Sequence, residues 1–216
     1  MFSAIFWDND GILMETEHLY YRANAEALAR EGIELTAEMF REISLRRGES
    51  VLDLLPDTGD RASLRKWRDE RYRHLLRTEA EVIPGVRETL ESLHGTIPMA
   101  IVTSCRRENF MEMHRTSGLL GFFDFILMRE DYDRSKPDPE PYLAACRRAG
   151  FSAGECLAVE DSERGVASAS AAGLAVAAIP GLLNAGGNFS AARWVLDDIA
   201  SLPPLLGSGE NPGNRG

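Results

Sequence analysis

Short apolar segments alternate with amphipathic segments along most of the chain. The first apolar segment, residues 2–7, is followed by Asn9 and Gly11, and it predicts a buried strand that ends in a tight turn. Beyond residue 97, further apolar runs alternate with helical patterns, and these runs lie at 99–102, 122–127, 157–159, 175–179 and 194–196. Strands that alternate with helices favour a parallel sheet with helices on both faces. The predicted fold class is therefore α/β, with a Rossmann-like parallel sheet.

The region after the first strand has a different pattern, with helical periodicity and little strand signal. Its helical segments are predicted at 19–30, 37–44 and 63–78. The Pro84-Gly85 pair then restarts the chain before a helix at 86–93. These patterns predict a small helical cap, residues 15–84, inserted after the first strand into an α/β core made of 1–14 and 85–202. Helices of the core are predicted at 108–117, 139–149 and 163–172, and the composition of 203–216 predicts a disordered tail.

Composition and charge narrow the classes of partner. A net charge of -10 and a pI near 5.0 argue against a general nucleic-acid or membrane surface, so neither partner is expected. The uncharged stretch 165–192 contains Pro180 and is rich in small residues, which favours helix, strand and loop over a membrane span. The first residues lack the features of a secretion signal, and Cys105, Cys146 and Cys156 have no metal-ligand spacing. We therefore expect a cytoplasmic protein with reduced thiols, and a monomer by default.

Polar residues that could take part in catalysis or binding follow the predicted strands. In a parallel α/β sheet, chemistry collects at the carboxyl ends of the strands. The residues found there are Asp8, Asn9, Asp10, Thr103, Ser104, Lys136, Glu160 and Asp161. Taken singly, Thr103 could cap a helix, Lys136 could be a solvated loop residue, and Asp161 could begin a helix. These residues form four groups along the chain, at 8–10, 103–104, 136 and 160–161. All four groups fall at the ends of strands of one sheet, in an order that lets them converge.

The chemistry of this set points to a metal and to phosphate. Two unit charges about 4 Å apart repel by roughly 4 kcal/mol at an effective dielectric constant near 20, so four converging carboxylates require a cation. Carboxylate oxygens suit Mg²⁺. With Mg²⁺ and Lys136 present, such a pocket can accept a phosphate dianion, whose other oxygens Thr103 and backbone N–H groups near Asn9 can bind.

In this order, these residues resemble the four motifs of the haloacid dehalogenase superfamily, and the insertion resembles its subgroup with a small helical cap. That subgroup includes beta-phosphoglucomutases and many sugar-phosphate phosphatases. The resemblance covers roughly residues 2–200. It is carried by the segment DNDGILMETE at 8–17, by Thr103, by Lys136-Pro137, by VEDS at 159–162 with Gly165, and by the Pro84-Gly85-Val86 return to the core.

The resemblance implies a role for each matching residue. Asp8 would attack phosphorus and form an aspartyl-phosphate, and Asp10 would protonate the leaving alcohol and then activate water. Mg²⁺ would be held by Asp8, the backbone carbonyl of Asp10, Glu160 and Asp161. Lys136 would neutralise Asp8 and the phosphate. Thr103 would bind the transferring group. Ser104 and the backbone of Asn9, which follow the same strands, are expected from their chemistry to bind phosphate as well.

The same resemblance leaves the reaction and the substrate open. Asp10 favours a phosphate ester, because an alcohol leaving group needs a proton. Arg47 aligns with a cap arginine that beta-phosphoglucomutases use. Tyr20, however, replaces their cap histidine, and Arg68-Asp69 stands where they tend to have Lys-Asn, so a phosphatase is preferred over a mutase. A non-catalytic binder of phosphometabolites is a third reading. The expected partner is a small phosphate ester, selected by cap residues such as Thr16 and Arg47, with the cap closing over it.

Overall fold

A computed structural model describes residues 2–56 and 59–207 of the 216-residue chain. Its strands, in chain order, are β1 (Ala4–Trp7), β2 (Met14–Glu15), β3 (Glu81–Val82), β4 (Met99–Val102), β5 (Phe125–Leu127), β6 (Cys156–Glu160), β7 (Ala175–Ala178) and β8 (Trp194–Val195). Its α-helices are α1 (Glu17–Ala29), α2 (Ala37–Phe40), α3 (Arg61–Glu79), α4 (Val86–Leu93), α5 (Arg107–Met113), α6 (Glu140–Ala149), α7 (Glu163–Ala171) and α8 (Leu202–Gly207).

Six of the strands form one parallel sheet in the order β5-β4-β1-β6-β7-β8. The predicted α/β class and the parallel sheet are thus confirmed. Because β1 lies in the middle, its carboxyl end adjoins those of β4 and β6. The residues that follow these three strands therefore meet at one edge of the sheet.

Alternate residues of β1 pack into two different hydrophobic clusters. Ile5 and Trp7 contact one cluster, which includes residues of α4 and α5, whereas Ala4 and Phe6 contact the other, which includes residues of α6 and α7. This alternation follows from the two-residue period of a strand. Helices consequently cover both faces, as predicted, and the middle of the sheet is a rigid base for the residues at its edge.

The region between β2 and β3 is helical, in agreement with the predicted insertion. β2 and β3 pair antiparallel, so the two chain crossings into and out of this region run side by side. The helices share a third hydrophobic cluster that includes Leu28, Phe40 and Leu52. Other residues of these helices, such as Leu19 and Leu75, belong instead to the cluster that contains Ile5 and Trp7 of β1. The paired strands β2 and β3 are called the β2–β3 ribbon below. The cap boundaries at residues 15 and 84 stay a prediction.

Three details differ from the sequence-based expectation. Residues 120–122 form a 3₁₀ turn, so the third strand of the sheet begins at Phe125 rather than at 122. Helix α5 ends at Met113, not at 117, where the chain turns into a buried polar cluster. The tail was predicted to begin at residue 203, but α8 extends to Gly207 because Leu202 is buried and Leu205 and Leu206 pack on the core.

The rest of the predicted tail, 208–216, lies outside the described residues. Within the described ranges, no helix combines the length and the apolar composition that crossing a bilayer requires.

Candidate active site

A cavity of about 410 Å³ lies at the carboxyl edge of the sheet, and six of the predicted site residues line it: Asp8, Asp10, Thr103, Ser104, Lys136 and Asp161. Asp8 follows β1, Thr103 follows β4, and Asp161 follows β6. Lys136 arrives from the loop between β5 and α6. All four line the cavity, whose opposite wall is formed by cap residues of α1, α2 and α3.

Lys136 joins two of the carboxylates. Its Nζ lies 2.8 Å from Asp8 Oδ1, 2.6 Å from Glu160 Oε1 and 2.8 Å from the carbonyl oxygen of Val102. Burial alone would lower the pKa of Lys136, but Asp8 and Glu160 outweigh it and raise the pKa well above its usual value. The ammonium group is therefore charged and fixed, with all three of its protons donated.

Glu160 is buried completely at the end of β6. Burial raises its pKa to about 7, although Lys136 opposes the rise. The same Oε1 that binds Lys136 also accepts a 2.5 Å hydrogen bond from the hydroxyl group of Tyr142, in α6. Tyr142 was not predicted from the sequence. Its position on the buried face of α6, beside Ala145, is equally typical of a core aromatic residue.

Asp161 lies on the other side of the site, against the backbone of Gly11. A Cβ atom at Gly11 would overlap the Asp161 carboxylate, and Gly11 has a φ of +79°, so the turn after Asp8 requires glycine on both counts. Asn184, in the loop between β7 and β8, donates hydrogen bonds to Asp161 Oδ2 (2.8 Å) and to Glu17 Oε1 (2.9 Å). Burial raises the pKa of Glu17 to about 7.

The acidic cluster fits a divalent cation. Asp8, Glu160 and Asp161 each offer a carboxylate oxygen, and these atoms lie within 4.8 Å of one another. Burial, together with the neighbouring charges of Glu17 and Asp8, raises the pKa of Asp161 well above its usual value. The single positive charge of Lys136 therefore does not balance the negative charges of the three carboxylates. Hard oxygen donors of this kind suit Mg²⁺. The carboxylate of Asp10 is not part of this cluster, which leaves its backbone carbonyl for the predicted metal role.

Asp10 lies in a different environment from Asp8. Its Oδ1 accepts a hydrogen bond of 2.5 Å from Thr16 Oγ1, and its Oδ2 accepts one of 3.2 Å from Asn9 Nδ2. Burial and the charge of Asp8 raise its pKa, although these hydrogen bonds oppose the change. One aspartate is therefore paired with a cation, and the other is biased towards its protonated form. Such a division is what nucleophile and general-acid roles require.

Not all of the predicted phosphate-binding side chains line the cavity. Thr103 and Ser104 line it, and Thr103 Oγ1 also accepts a 3.0 Å hydrogen bond from the N–H of Cys105. The side chain of Asn9 does not line the cavity, because it is fully buried and hydrogen bonded to His114. Any contribution of Asn9 to phosphate binding must come from its backbone.

Neither predicted cap residue lines the cavity. Arg47 is half-exposed and forms ion pairs with Glu42 and Glu49, because a π-helical turn over Arg41–Arg46 directs it to the surface. Thr16 is fully buried at the start of α1, where it binds Asp10 instead of a substrate.

Other cap positions form the cavity wall instead. Arg68 binds the hydroxyl of Tyr20 (2.9 Å) and Asp69 (2.6 Å), so two positions at which this chain departs from the mutase pattern contact each other. Arg65 and Arg106 face the cavity from the cap and the core, and neither guanidinium has a hydrogen-bond or ion-pair partner within the described ranges.

Gly165 provides a first structural test of this site. A Cβ atom there would overlap the Glu160 carboxylate, which cannot move because Lys136 and Tyr142 bind it. We expect Gly165→Ala to lower the free energy of unfolding by about 1–3 kcal/mol, as overpacked sites do, with a loss of activity. Urea denaturation measures the change. Gly154→Ala is the control, since a Cβ atom there meets nothing within 4 Å, and equal stability of the two variants would contradict the geometry.

Comparison with known proteins identifies relatives along nearly the whole chain. Residues 5–179 match the family model described as "Haloacid dehalogenase-like hydrolase". Protein CbbY of Rhodobacter capsulatus is 30% identical over 215 residues, which cover 92% of this chain and 94% of CbbY. A phosphorylated carbohydrates phosphatase of Thermotoga maritima is 30% identical over 176 residues, or 79% of this chain and 82% of that enzyme.

A solved structure gives a similar match. A CbbY variant from Rhodobacter sphaeroides, in complex with xylulose-(1,5)bisphosphate, superposes with a TM-score of 0.81 at 27% identity. The match covers 94% of this chain and 96% of that one.

Proposed function

Because the chain belongs to the haloacid dehalogenase-like hydrolase family, we propose that it is a Mg²⁺-dependent phosphatase that hydrolyses a small phosphorylated carbohydrate through an aspartyl-phosphate on Asp8. The comparisons support a phosphoric monoester hydrolase. The observation that carries the mechanism is the 2.8 Å contact between Lys136 Nζ and Asp8 Oδ1, beside Asp10, whose pKa is raised.

In the first step, an Asp8 carboxylate oxygen forms a bond to phosphorus while the ester P–O bond breaks. The leaving oxygen takes the proton from Asp10, so no alkoxide is released. Lys136 neutralises negative charge on Asp8 and on the phosphoryl group, and Thr103 and Ser104 bind phosphoryl oxygens.

In the second step, water attacks phosphorus and gives its proton to the Asp10 carboxylate. The bond between phosphorus and Asp8 then breaks, which releases phosphate and restores both aspartates. Asp8, the Asp10 backbone carbonyl, Glu160 and Asp161 would hold Mg²⁺, which would supply the positive charge that a phosphate dianion needs in this acidic pocket.

Arg65 and Arg106, which have no partner among the described residues, favour a substrate with a second anionic group. Arg65 and Arg106 lie on the cap and core walls of the same cavity, where each can contact one phosphate or carboxylate. The CbbY complex with xylulose-(1,5)bisphosphate makes sugar bisphosphates the first class to assay.

The mutase remains the second candidate, but the Tyr20–Arg68 pair occupies cap positions where the beta-phosphoglucomutase pattern has other residues. A non-catalytic binder is the third. The cap, residues 15–84, would close over the substrate by bending at the β2–β3 ribbon.

A panel assay with metal removal tests the proposal. We expect phosphate release from sugar monophosphates and bisphosphates in the presence of Mg²⁺, complete loss in EDTA, and recovery when Mg²⁺ is restored. Full activity in the chelator would contradict the metal site. Conversion of beta-glucose 1-phosphate to glucose 6-phosphate, with glucose 1,6-bisphosphate as primer and no net phosphate release, would identify a mutase. Ligand-induced thermal shifts without turnover would identify a binder.

A further inference from the structure

Asp10 contacts a cluster of buried polar side chains that do not line the cavity and have no role in the mechanism above. Asn9 is fully buried, and His114 and Ser117 are 5% and 7% exposed. His114 follows the last residue of α5, and Ser117 lies in the turn beyond it. Burial of three uncharged polar side chains is costly unless each is hydrogen bonded. Each polar atom of the cluster is therefore expected to have a hydrogen-bond partner.

The orientation of the Asn9 amide follows from its neighbours. Its Nδ2 atom lies 3.2 Å from Asp10 Oδ2 and 2.9 Å from the sulfur of Met113, and both of these atoms are acceptors. The other end of the amide, Oδ1, lies 2.6 Å from His114 Nε2. Because Oδ1 can only accept, Nε2 must carry the proton.

The rest of the chain of hydrogen bonds is consistent with this tautomer. His114 Nδ1 is then an acceptor, and Ser117 Oγ lies 2.9 Å from it. The hydroxyl group donates to Nδ1 rather than to its other acceptor, the backbone carbonyl oxygen of His114, which is farther away at 3.4 Å. Ser117 Oγ in turn accepts from the backbone N–H of Leu119 at 3.2 Å. Burial lowers the pKa of His114 to about 4, which keeps the ring neutral at physiological pH. The Phe110 ring, 4.4 Å from that of His114 between centroids, fixes the plane of the imidazole.

All of these hydrogen bonds run in one direction. The Leu119 N–H donates to Ser117, Ser117 to His114, His114 to Asn9, and Asn9 to the Asp10 carboxylate. Aligned hydrogen bonds polarise one another inside a protein, so the last donor is stronger than an isolated amide. The opposite oxygen of Asp10 is bound by Thr16 at 2.5 Å.

We propose that Asn9, His114 and Ser117 are positioning residues, which form a directed hydrogen-bond chain that fixes the orientation of the Asp10 carboxyl group for proton transfer to the leaving oxygen. This inference rests on the proposed function, because that function assigns the proton transfer to Asp10. It also explains why a residue beside the nucleophile has a side chain that never reaches the cavity.

The test compares two leaving groups in the same protein. An alkyl phosphate, such as the best sugar phosphate of the panel, needs a proton on its leaving oxygen, whereas p-nitrophenyl phosphate does not. We expect Asn9→Leu to lower kcat/KM for the sugar phosphate by about 10-fold, as misplacement of a reacting group does, with less than about 2-fold change for p-nitrophenyl phosphate. His114→Phe is expected to act in the same direction, and His114→Gln, which keeps a donor towards Asn9, is expected to restore most of the loss.

Two controls separate positioning from packing. Thr89→Ala removes another buried polar side chain, in α4, and it should leave the ratio of the two kcat/KM values unchanged. Adding His114→Phe to Asn9→Leu should cost nothing further in that ratio, because the chain is already broken. Equal losses on both substrates, unchanged kcat/KM on both, or additive losses in the double variant would overturn the proposal.

A measurement that needs no activity completes the test. ¹⁵N NMR of the unchanged protein should find the His114 ring neutral with its proton on Nε2, and an Nδ1–H tautomer or an imidazolium ring would overturn the chain directly. Absence of phosphate release from every substrate would instead contradict the proposed function, and the NMR result would still decide whether the hydrogen-bond chain exists.

Discussion

Replacing Asp8 with asparagine is expected to lower kcat for phosphate release by about 1,000-fold or more. The amide cannot form the acyl-phosphate bond, and in other enzymes loss of the nucleophile leaves only the contribution of binding and electrostatics. The substitution preserves the size of the side chain, so the fold should survive. Phosphate release with Mg²⁺ and saturating substrate measures the effect, with Asp197→Asn, at an exposed carboxylate, as the control.

Two further measurements make the Asp8 result specific. Rapid acid quenching of the unchanged protein with substrate should yield a species heavier by one phosphoryl group, and the Asp8→Asn variant should not form it. Inorganic phosphate should still raise the melting temperature of the variant, since Lys136, Thr103 and Ser104 are intact. Activity of Asp8→Asn within about 10-fold of the unchanged protein would contradict the nucleophile assignment.

The core of the site could be predicted because local sequence patterns indicate where the strands lie and where they end. Apolar runs identify the strands, and the parallel α/β arrangement brings the residues after β1, β4 and β6 to one edge. The convergence of Asp8, Lys136 and Asp161 could therefore be predicted without knowing how distant segments pack. Mg²⁺ was inferred from the chemistry of the converging carboxylates, whereas the roles of the individual residues were implied by the family resemblance.

Residues that depend on packing between distant segments could not be predicted in this way. His114 contacts Asn9 across 105 positions, and Asn184 contacts Glu17 across 167. In the sequence, each resembles an ordinary polar residue at the end of a helix or in a loop. A weak signal existed at Asn9, since an amide between two carboxylates in a buried turn must find a partner.

Arg47, a predicted cap residue, does not line the cavity, and the reason is related. Its alignment with a cap arginine of the mutases was plausible in sequence, but side-chain direction in a helix depends on its exact period. The π-helical turn over Arg41–Arg46 changes that period, and Arg47 pairs with Glu42 and Glu49 at the surface. Arg65 and Arg106 supply positive charge to the cavity instead.

Replacing Lys136 with methionine is expected to affect both stability and activity. Methionine keeps most of the apolar stem but removes the charge that Asp8 and Glu160 share. Breaking a buried ion pair by removing one partner costs about 3–5 kcal/mol, because the remaining charges are left uncompensated. The phosphate also loses its cation, so kcat should fall by about 100-fold to 1,000-fold, as for other electrostatic groups at a reacting centre. Urea denaturation without added metal measures the first effect, and phosphate release the second.

The pH dependence of this destabilisation has a defined sign. The pKa of Glu160 is already raised to about 7 with Lys136 present, and removal of the cation must raise it further. A carboxyl group whose pKa is higher in the folded state than in the unfolded state binds more protons when folded, so folding of the variant is favoured as pH falls. The stability difference should therefore be largest well above pH 7, should narrow as the pH falls to about 7, and should stay constant below that, where Glu160 is protonated in both folded proteins. Lys66→Met, at the other lysine of the chain and on the exposed face of α3, is the matched control. A Lys136→Met protein as stable as this control at pH 8 would contradict the ion-pair account of the site.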